Sequence, residues 1–259
     1  MRDEGSEIVT WRIHHKVETE STNLDARVGS HGDVFTADYQ TAGRGRLDHK
    51  WLSPAGTNLM MSAVLSVEGL APEQVATFPL VVGLAVVKAI QRLFAGGQDV
   101  RRETEDVKLK WPNDVLVENK KLAGNLCELN GDNVIVGIGV NVGQTEFDKE
   151  IADRATSLAL IMEKRNPFRI REGNETSHVR DAILRELACC HSLWREKGFA
   201  AVYPEIAAVD YLKGREIAVR QTDDDSAPAS GVSNGIMPDG SLDVGGKKVY
   251  AGEAHVEKL

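Results

Sequence analysis

The distribution of apolar and polar residues predicts strands over much of the first half of the chain. Apolar and polar side chains alternate over residues 9–17 and 33–39, which is the period of a strand with one buried face. Residues 58–67 are apolar almost throughout, and this indicates a strand that is largely buried. Between the first two strands, Ser21 or Thr22 is suited to cap a short helix.

Two longer segments have the helical period of 3.6 residues instead. They are residues 72–94 and residues 177–197. Pro72 suits the first turn of the earlier helix, and the pair Gly96-Gly97 is predicted to end it.

Four short strands are predicted between these helices, over residues 107–111, 115–117, 121–129 and 133–142. If residues 118–120 form the turn of the second hairpin, Val117 lies opposite Lys121 and Asp114 lies opposite Gly124. Because glycine has no side chain, that register would leave space for a ligand beside Asp114.

The order of these elements predicts the fold class and the domain division. Strands and helices are mixed along the chain, so we expect an α+β protein with helices packed on a mixed β-sheet. From about residue 209 the sequence changes to short apolar pieces separated by Gly, Asp and Ser, which is typical of a small all-β module. We therefore divide the chain into a large domain, residues 1–208, and a small one, residues 209–259.

Composition and charge narrow the functional classes. The 259 residues include 31 Lys plus Arg against 39 Asp plus Glu, a net charge of −8. Nucleic-acid binding depends on neutralising phosphates, so this balance does not favour it. The N-terminus lacks the apolar core of a signal peptide, and the longest apolar run, residues 78–87, is too short to span a bilayer. Three cysteines form no evident disulfide framework, so we expect a cytoplasmic protein with neither nucleic acid nor a membrane as partner.

The segment 41–51 is the strongest candidate for ligand binding. It places Arg44 and Arg46 among glycines and ends on Trp51. If it is extended, both arginines point to the same face, and Gly43 allows a ligand to approach the backbone. Paired guanidinium groups beside exposed amides suit a carboxylate or a phosphate. In an acidic protein such a local basic segment favours a small anionic ligand.

A second cluster lies within residues 108–128. It contains Lys110-Trp111-Pro112-Asn113-Asp114 and Lys121-Leu122-Ala123-Gly124. Together with Gly43-Arg44-Gly45-Arg46, Ser21-Thr22-Asn23 and Gln40, these motifs resemble the signature of biotin protein ligases. They fall in the same order and at similar spacings, and the resemblance extends over nearly the whole chain.

The resemblance implies a fold and a reaction. The fold is a catalytic domain like that of class II aminoacyl-tRNA synthetases and biotin synthetases, followed by a small C-terminal β-barrel. The reaction is the ligation of biotin to a lysine of a biotin carboxyl carrier protein, through biotinyl-5′-adenylate, with ATP converted to AMP and pyrophosphate and with magnesium as cofactor. Only about twenty residues precede the catalytic region, so we expect a monofunctional ligase without an N-terminal DNA-binding domain. The resemblance leaves a homodimer open.

The resemblance also assigns roles to individual residues. The catalytic residues would be Arg46 on the phosphate, Lys121 on the carboxylate and phosphate oxygens, and Asp114. The biotin-binding residues would be Ser21, Thr22, Asn23, Gln40, Gly43, Arg44, Lys121 and Gly124. The residues on ATP and the adenylate would be Arg46, Trp51, Asn113 and Asn141. No metal ligand is assigned.

Several of these roles have a purely structural alternative. Trp51 offers a flat surface for adenine but is also suited to the core, where we expect Trp111. Asp114 is either a base for the incoming amine or a group that orients it or magnesium. Ser21-Thr22-Asn23 is common as a plain helix cap, and Lys121 without its motif would be a solvated turn lysine.

Two other functions compete with the ligase. A lipoate-protein ligase is expected to have the same fold, but lipoate has no ureido group and would leave Gln40 without a purpose. A non-enzymatic biotin sensor or DNA-binding regulator is disfavoured by the acidic charge. The chain also departs from the family: Leu47-Asp48-His49 follows Arg46, and residues 144–156, where the family has a loop over the adenylate, contain no matching motif.

Overall fold

The structure is a computed structural model. It describes residues 9–47, 49–95, 107–165, 175–220 and 228–256. Asp48, which departs from the family pattern, and Gly96-Gly97, where the helix was predicted to end, lie outside the described residues.

The larger of two sheets has seven strands in the order β1-β2-β3-β7-β6-β5-β4. They are β1 (Arg12–Thr19), β2 (Asp33–Gln40), β3 (Leu59–Ser66), β4 (Val107–Lys110), β5 (Asp114–Val117), β6 (Lys120–Asn130) and β7 (Asn133–Val140). Strands β1 and β2 are parallel and every other neighbouring pair is antiparallel. The predicted α+β class with a mixed sheet is confirmed.

The described helices lie around this sheet, and the first, third and fifth of them make most of the helix contacts with it. They are α1 (Thr22–Asp25), α2 (Pro72–Ala76), α3 (Phe78–Ala95), α4 (Leu158–Arg165), α5 (Glu175–Lys197) and α6 (Tyr203–Ala208), with 3₁₀ turns at Ala26–Val28 and Phe199–Ala201. The helix predicted over residues 72–94 is interrupted at Thr77, so that prediction was wrong in its continuity. The Thr77 hydroxyl donates to the Gln74 carbonyl (2.6 Å) and accepts from the Trp194 indole N–H (3.0 Å), which fixes the break against α5.

Helix α3 is the centre of the core. Its 18 residues have a mean hydropathy of 1.7, so by length and composition it could cross a membrane, and 67% of it is buried within the protein. From the sequence, a membrane span was excluded on the basis of residues 78–87 alone, but the apolar helix extends to Ala95. Burial against the sheet and α5 is what a core helix requires.

The C-terminal residues form a second, antiparallel sheet, in the order β11-β10-β9-β8-β12. Its strands are β8 (Glu216–Arg220), β9 (Ala229–Ile236), β10 (Leu242–Val244), β11 (Lys247–Val249) and β12 (Glu253–Val256). The all-β prediction is confirmed, but the predicted barrel is wrong, because the sheet is open. Its outer strands have three and four residues and each pairs with one neighbour only, so the sheet does not close on itself.

Main-chain bonds join β4 to the segment between α6 and the second sheet. The Leu109 amide donates to Val209 (2.8 Å), and the Leu109 carbonyl accepts from the Tyr211 amide (2.9 Å). Trp111 is 2% exposed and its indole N–H donates to Gly240 (3.1 Å), so its predicted core position is confirmed. One apolar core runs through both sheets, and the domain boundary near residue 208 stays a prediction.

Candidate active site

Two glycines on neighbouring strands form a bare surface on the large sheet. Gly124 of β6 pairs with Gly139 of β7, and Asp114 of β5 pairs with Gly124 on the other side. A Cβ atom on Gly124 would lie 3.2 Å from the Asp114 carboxylate, and one on Gly139 would overlap the Trp51 ring. We call Gly124 and Gly139 the glycine platform. Side chains gather above it because the platform itself has none.

Lys121 lies directly above the platform. Its Nζ is 2.7 Å from Asp114 Oδ1 and 6.0 Å from the centre of the Trp51 ring. The predicted pairing of Asp114 with Gly124 is confirmed. The predicted pairing of Val117 with Lys121 is wrong, because Val117 pairs with Lys120 and Leu116 pairs with Lys121.

A β-bulge at Leu122 causes this shift and has a chemical consequence. Strand β6 uses one extra residue between the pairs Leu116–Lys121 and Val115–Ala123. Alternation along a regular strand would place residues 121 and 124 on opposite faces. The bulge instead brings Lys121 to the face of Asp114 and Gly124, where it can meet a ligand.

The segment 144–156 binds the backbone of Lys121. The Lys121 amide donates to the Arg154 carbonyl (2.8 Å), and the Thr156 amide donates to the Lys121 carbonyl (2.9 Å). Asn58 anchors the start of the segment by donating to the Gln144 side chain (2.7 Å). The sequence contains no motif here, but the segment borders the site.

Positive charge exceeds negative charge around the platform. Lys110 lies opposite Asp114 on β4, and burial lowers the pKa of Lys110 while Asp114 and Glu253 oppose that change. Burial also lowers the pKa of Arg46, and the same two carboxylates oppose it. Lys121 and Arg154 add to this positive charge, and Arg154 acts on Lys110. The four cations are therefore opposed by two carboxylates, those of Asp114 and Glu253. Such a site favours a ligand with several negative charges.

Residues 43–47 and 49–51 of the glycine-arginine segment form a hairpin, which we call the arginine hairpin. The Trp51 amide donates to Gly43 (2.9 Å) and the Gly45 amide to His49 (2.7 Å). A Cβ atom on Gly43 would overlap the Trp51 carbonyl, so this approach requires glycine. Ala42, Leu126 and residues of the hairpin line a cavity of about 450 Å³.

The two arginines have different partners. Arg44 Nη1 lies 3.1 Å from Glu128 Oε1 on β6. Arg46 Nη1 donates to the carbonyl of Gly252, just before β12 (3.4 Å), and His49 lies 3.5 Å from Glu253. Arg46 is thus directed toward the carboxylates and cations above the platform, and Arg44 is directed toward Glu128.

Trp51 lies beside the platform and not in the apolar core. Its ring covers Gly139, and its buried indole N–H has no hydrogen-bond partner among the residues that the structure describes. A flat ring with an available donor at the edge of a site suits an aromatic ligand.

A polar cluster continues the site from the platform toward α1. The Thr22 amide and hydroxyl donate to Gln40 Oε1 (2.7 and 3.0 Å). Ser62 Oγ lies 2.8 Å from Thr22 Oγ1 and 2.6 Å from Asn23 Oδ1. These bonds fix the Gln40 amide and turn its Nε2 toward Gly43. Ser21 occupies the N-cap position of α1 without a side-chain capping bond.

Two residues of this cluster, Ser62 and Glu128, were not identified as site residues from the sequence. Ser62 is fully buried in β3, and a hydroxyl within an apolar strand was the available signal. Glu128 accepts from Asn23 Nδ2 (2.6 Å) as well as from Arg44. Its role depends on partners distant in the sequence, so no local pattern indicates it.

Asn113 and Asn141 use their side-chain donors within the protein. Asn113 Nδ2 donates to the Asn125 carbonyl (2.7 Å), and Asn141 Nδ2 donates to the Thr156 carbonyl (2.9 Å). Asn141 is 7% exposed. Contact of either amide N–H with adenine would require these bonds to be exchanged, so their predicted roles stay predictions.

The fold is a mixed sheet whose two platform glycines lie beneath a carboxylate and several cations, next to a polar pocket. This combination is typical of an enzyme that binds a small anionic substrate. Residues 16–144 match the biotin/lipoate A/B protein ligase family. The biotin–acetyl-CoA-carboxylase ligase of Mycobacterium tuberculosis is 32% identical, over 96% of this chain and 90% of that protein. The chain belongs to the biotin/lipoate A/B protein ligase family.

Other relatives agree with this assignment. The bifunctional ligase/repressor BirA of Escherichia coli is 27% identical over 86% of this chain, and the match spans 66% of that longer protein. The biotin protein ligase of Aquifex aeolicus in complex with biotin and ATP has a TM-score of 0.78 and 30% identity, over 95% of this chain and 99% of that one. The Leishmania major ligase with biotinyl-5-AMP has a TM-score of 0.66 and 27% identity, over 95% and 98%.

Proposed function

We propose that this chain is an ATP-dependent biotin–protein ligase. It joins biotin and ATP to form biotinyl-5′-adenylate and then transfers the biotinyl group to a lysine of a biotin carboxyl carrier protein. The observation that carries the proposal is the Lys121–Asp114 pair above the glycine platform, with Arg46 directed to the same place.

In the first step a biotin carboxylate oxygen attacks the α-phosphorus of ATP. The new bond is a carboxyl–phosphate anhydride, the α–β phosphoanhydride bond breaks, and pyrophosphate leaves. Two anions must approach each other, so cations must offset their repulsion. Lys121 and Arg46 are the cations placed above the platform, and Lys110 adds charge from β4.

In the second step the acceptor lysine amine attacks the carbonyl carbon of the anhydride. The amide bond forms, AMP leaves with the electron pair of the broken bond, and the amine loses a proton. Asp114 is the carboxylate closest to this chemistry, and Lys121 holds one of its oxygens. The other oxygen is available to orient the amine or to accept its proton.

The polar cluster supports biotin as the acid. Biotin's ureido group offers two N–H donors and one acceptor, and a fixed Gln40 amide with Thr22 and Ser62 offers matching groups. Lipoate has no such group, so it would leave this cluster unused. A lipoate-protein ligase remains the second candidate because the family includes both activities.

Magnesium enters the proposal as part of the magnesium–ATP substrate. Within the described ranges, no group of three His, Cys, Asp or Glu side chains is arranged to hold a metal. Magnesium commonly takes most of its ligands from substrate phosphates and water. We also propose a cytoplasmic location and no membrane or nucleic-acid partner, as the sequence predicts.

The proposal is tested by transfer to an acceptor. Purified protein, magnesium–ATP and biotin are incubated with an isolated biotin carboxyl carrier domain, and biotin is detected with streptavidin and located by mass spectrometry. We expect one modified lysine, and no product when that lysine is replaced by arginine. A product formed with lipoate and a lipoyl acceptor, but not with biotin, would replace the proposal by its alternative.

A further inference from the structure

Glu128 contacts the polar cluster and the arginine hairpin at the same time. One carboxylate oxygen lies 2.6 Å from Asn23 Nδ2 in the polar cluster, and the other lies 3.1 Å from Arg44 Nη1 in the arginine hairpin. The Glu128 side chain is 22% exposed and Arg44 is 46% exposed. A second arginine, Arg27, is 3.8 Å from the same carboxylate, beyond hydrogen-bond distance.

The Asn23 side of this contact is fixed. Asn23 is 4% exposed, and its Oδ1 lies 2.6 Å from the buried Ser62 hydroxyl. A Cβ atom on Gly137 would overlap the Asn23 amide, so the sheet lies directly against it. With one oxygen held by Asn23, the Glu128 carboxylate has a defined orientation for its second partner.

The Arg44 side belongs to an exposed hairpin. Arg44 pairs with Lys50 across the hairpin, whose tip includes the exposed residues Leu47 and His49. The side chains of Arg44, Arg46 and His49 contact Glu128, Gly252 and Glu253, and the Trp51 ring covers Gly139. Of these, the contact with Glu128 is the one that leads to the polar cluster.

Arg44 and Arg46 differ in the charge of their hydrogen-bond partners. Glu128 neutralises Arg44, and a carboxylate at that point would repel the carboxylate of an incoming acid. Arg46 has a backbone carbonyl as its hydrogen-bond partner. Its charge is therefore more available to an anionic ligand than the charge of Arg44.

We propose that Glu128 is a positioning residue that holds the arginine hairpin closed against the polar cluster before any ligand binds. The Arg44 side chain then acts through Glu128, and the biotin contact that the sequence suggested for Arg44 stays a prediction. This inference rests on the proposed function for its effect on catalysis, but not for its effect on the hairpin.

Hydrogen exchange without substrates tests the structural part. The amides of Gly45, His49 and Trp51 are bonded within the hairpin, and a peptide covering residues 41–52 reports on them by mass spectrometry. Glu128→Gln and Arg44→Met are each expected to speed exchange roughly three- to tenfold, the range of a partly exposed charged hydrogen bond. The double variant is expected to exchange no faster than the faster single variant.

Arg27→Met is the matched control, because it removes an arginine that lies near the same carboxylate without a hydrogen bond to it. It is expected to leave exchange of the hairpin unchanged. Unchanged exchange in both Glu128→Gln and Arg44→Met would overturn the inference. Equal acceleration in all three variants would also overturn it, because it would mean a general effect of charge.

Kinetics test the functional part. Glu128→Gln should raise KM for biotin and the rate of adenylate release roughly three- to tenfold, with kcat within about twofold of wild type. Glu128→Asp, which keeps the charge, should recover part of the loss. An equal fall in kcat would contradict a positioning role. If wild-type protein shows no activity with biotin, the proposed function fails, and the exchange experiment still decides the role of Glu128.

Discussion

The glycine platform and the arginine hairpin belong to the same candidate site but are held in place differently. Strand pairing positions the platform, so Asp114, Gly124 and Gly139 are neighbours through backbone bonds. The hairpin depends on side chains that are far away in sequence, with Arg44 84 residues from Glu128 and Arg46 206 residues from Gly252. Backbone pairing gives a rigid site, whereas exposed ion pairs contribute only about 0–1 kcal/mol each. We therefore propose that the platform carries out catalysis and that the hairpin retains the intermediate.

The largest expected effect comes from the platform. Lys121→Ala should lower the rate of ATP–pyrophosphate exchange a hundredfold or more, the order of magnitude of one preorganised charge. Lys120→Ala is the matched control, because the Lys120 ammonium lies at the surface, where it donates to the Ala152 carbonyl (3.3 Å). A near-normal rate in Lys121→Ala would remove catalysis from the platform.

The pH dependence of stability tests a part of the fold outside the platform and the hairpin, the buried His191. His191 is 3% exposed beside Phe78 and Trp194, and burial lowers its pKa to about 4. The unfolded histidine, near pH 6.5, binds a proton that the folded one refuses, so stability is complete above pH 6.5 and is lost as pH falls toward 4. The loss should reach about 3 kcal/mol.

Urea unfolding between pH 7.5 and 4.5 measures this loss. His191→Gln should flatten the dependence over that range, and His15→Gln, which changes a half-exposed histidine, should keep it. A wild-type stability that does not fall over this range would mean that His191 is accessible to protons in the folded state.

The hairpin is tested by the escape of the intermediate. Arg46→Gly should release biotinyl-adenylate about tenfold faster, because a charge-assisted contact with the phosphate is lost. Lysines of a bystander protein should then be labelled. Arg44→Gly should cause a smaller release, through opening of the hairpin alone. Equal release from both variants would mean that the two arginines share one role.

The smallest expected effect concerns a thiol beside the hairpin. Burial raises the pKa of Cys127 to about 12, and Arg46 partly opposes the change, whereas Cys189 is exposed. A thiol reagent should modify Cys189 first and Cys127 slowly. Glu128→Gln should speed modification of Cys127 a few-fold and leave Cys189 unchanged. Peptide mapping after timed labelling would detect the difference, and equal acceleration at both thiols would indicate global loosening.

The same contrast explains what could be predicted from sequence. Alternation and turn residues located the strands of the platform and the pairing of Asp114 with Gly124, because short hairpins have few registers. The bulge at Leu122 was missed, since one extra residue leaves the apolar pattern almost unchanged. That error placed Lys121 opposite the wrong residue.

The hairpin and the polar cluster were harder to predict. Family motifs identified Arg44, Asn23 and Gln40 as site residues, but not that each would bind another side chain of the protein. Ser62 and Glu128 complete that network from separate strands, and only the tertiary fold brings them together. The open C-terminal sheet was missed for a similar reason, because closure depends on the pairing of its two edge strands.

The most direct test of the account is ATP–pyrophosphate exchange by the purified protein with magnesium, measured with biotin, with lipoate and without an acid. We predict exchange with biotin alone, lowered a hundredfold or more in Lys121→Ala and retained in Lys120→Ala. Exchange with lipoate but not biotin, or exchange that survives loss of Lys121, would contradict the central claim that the platform activates biotin.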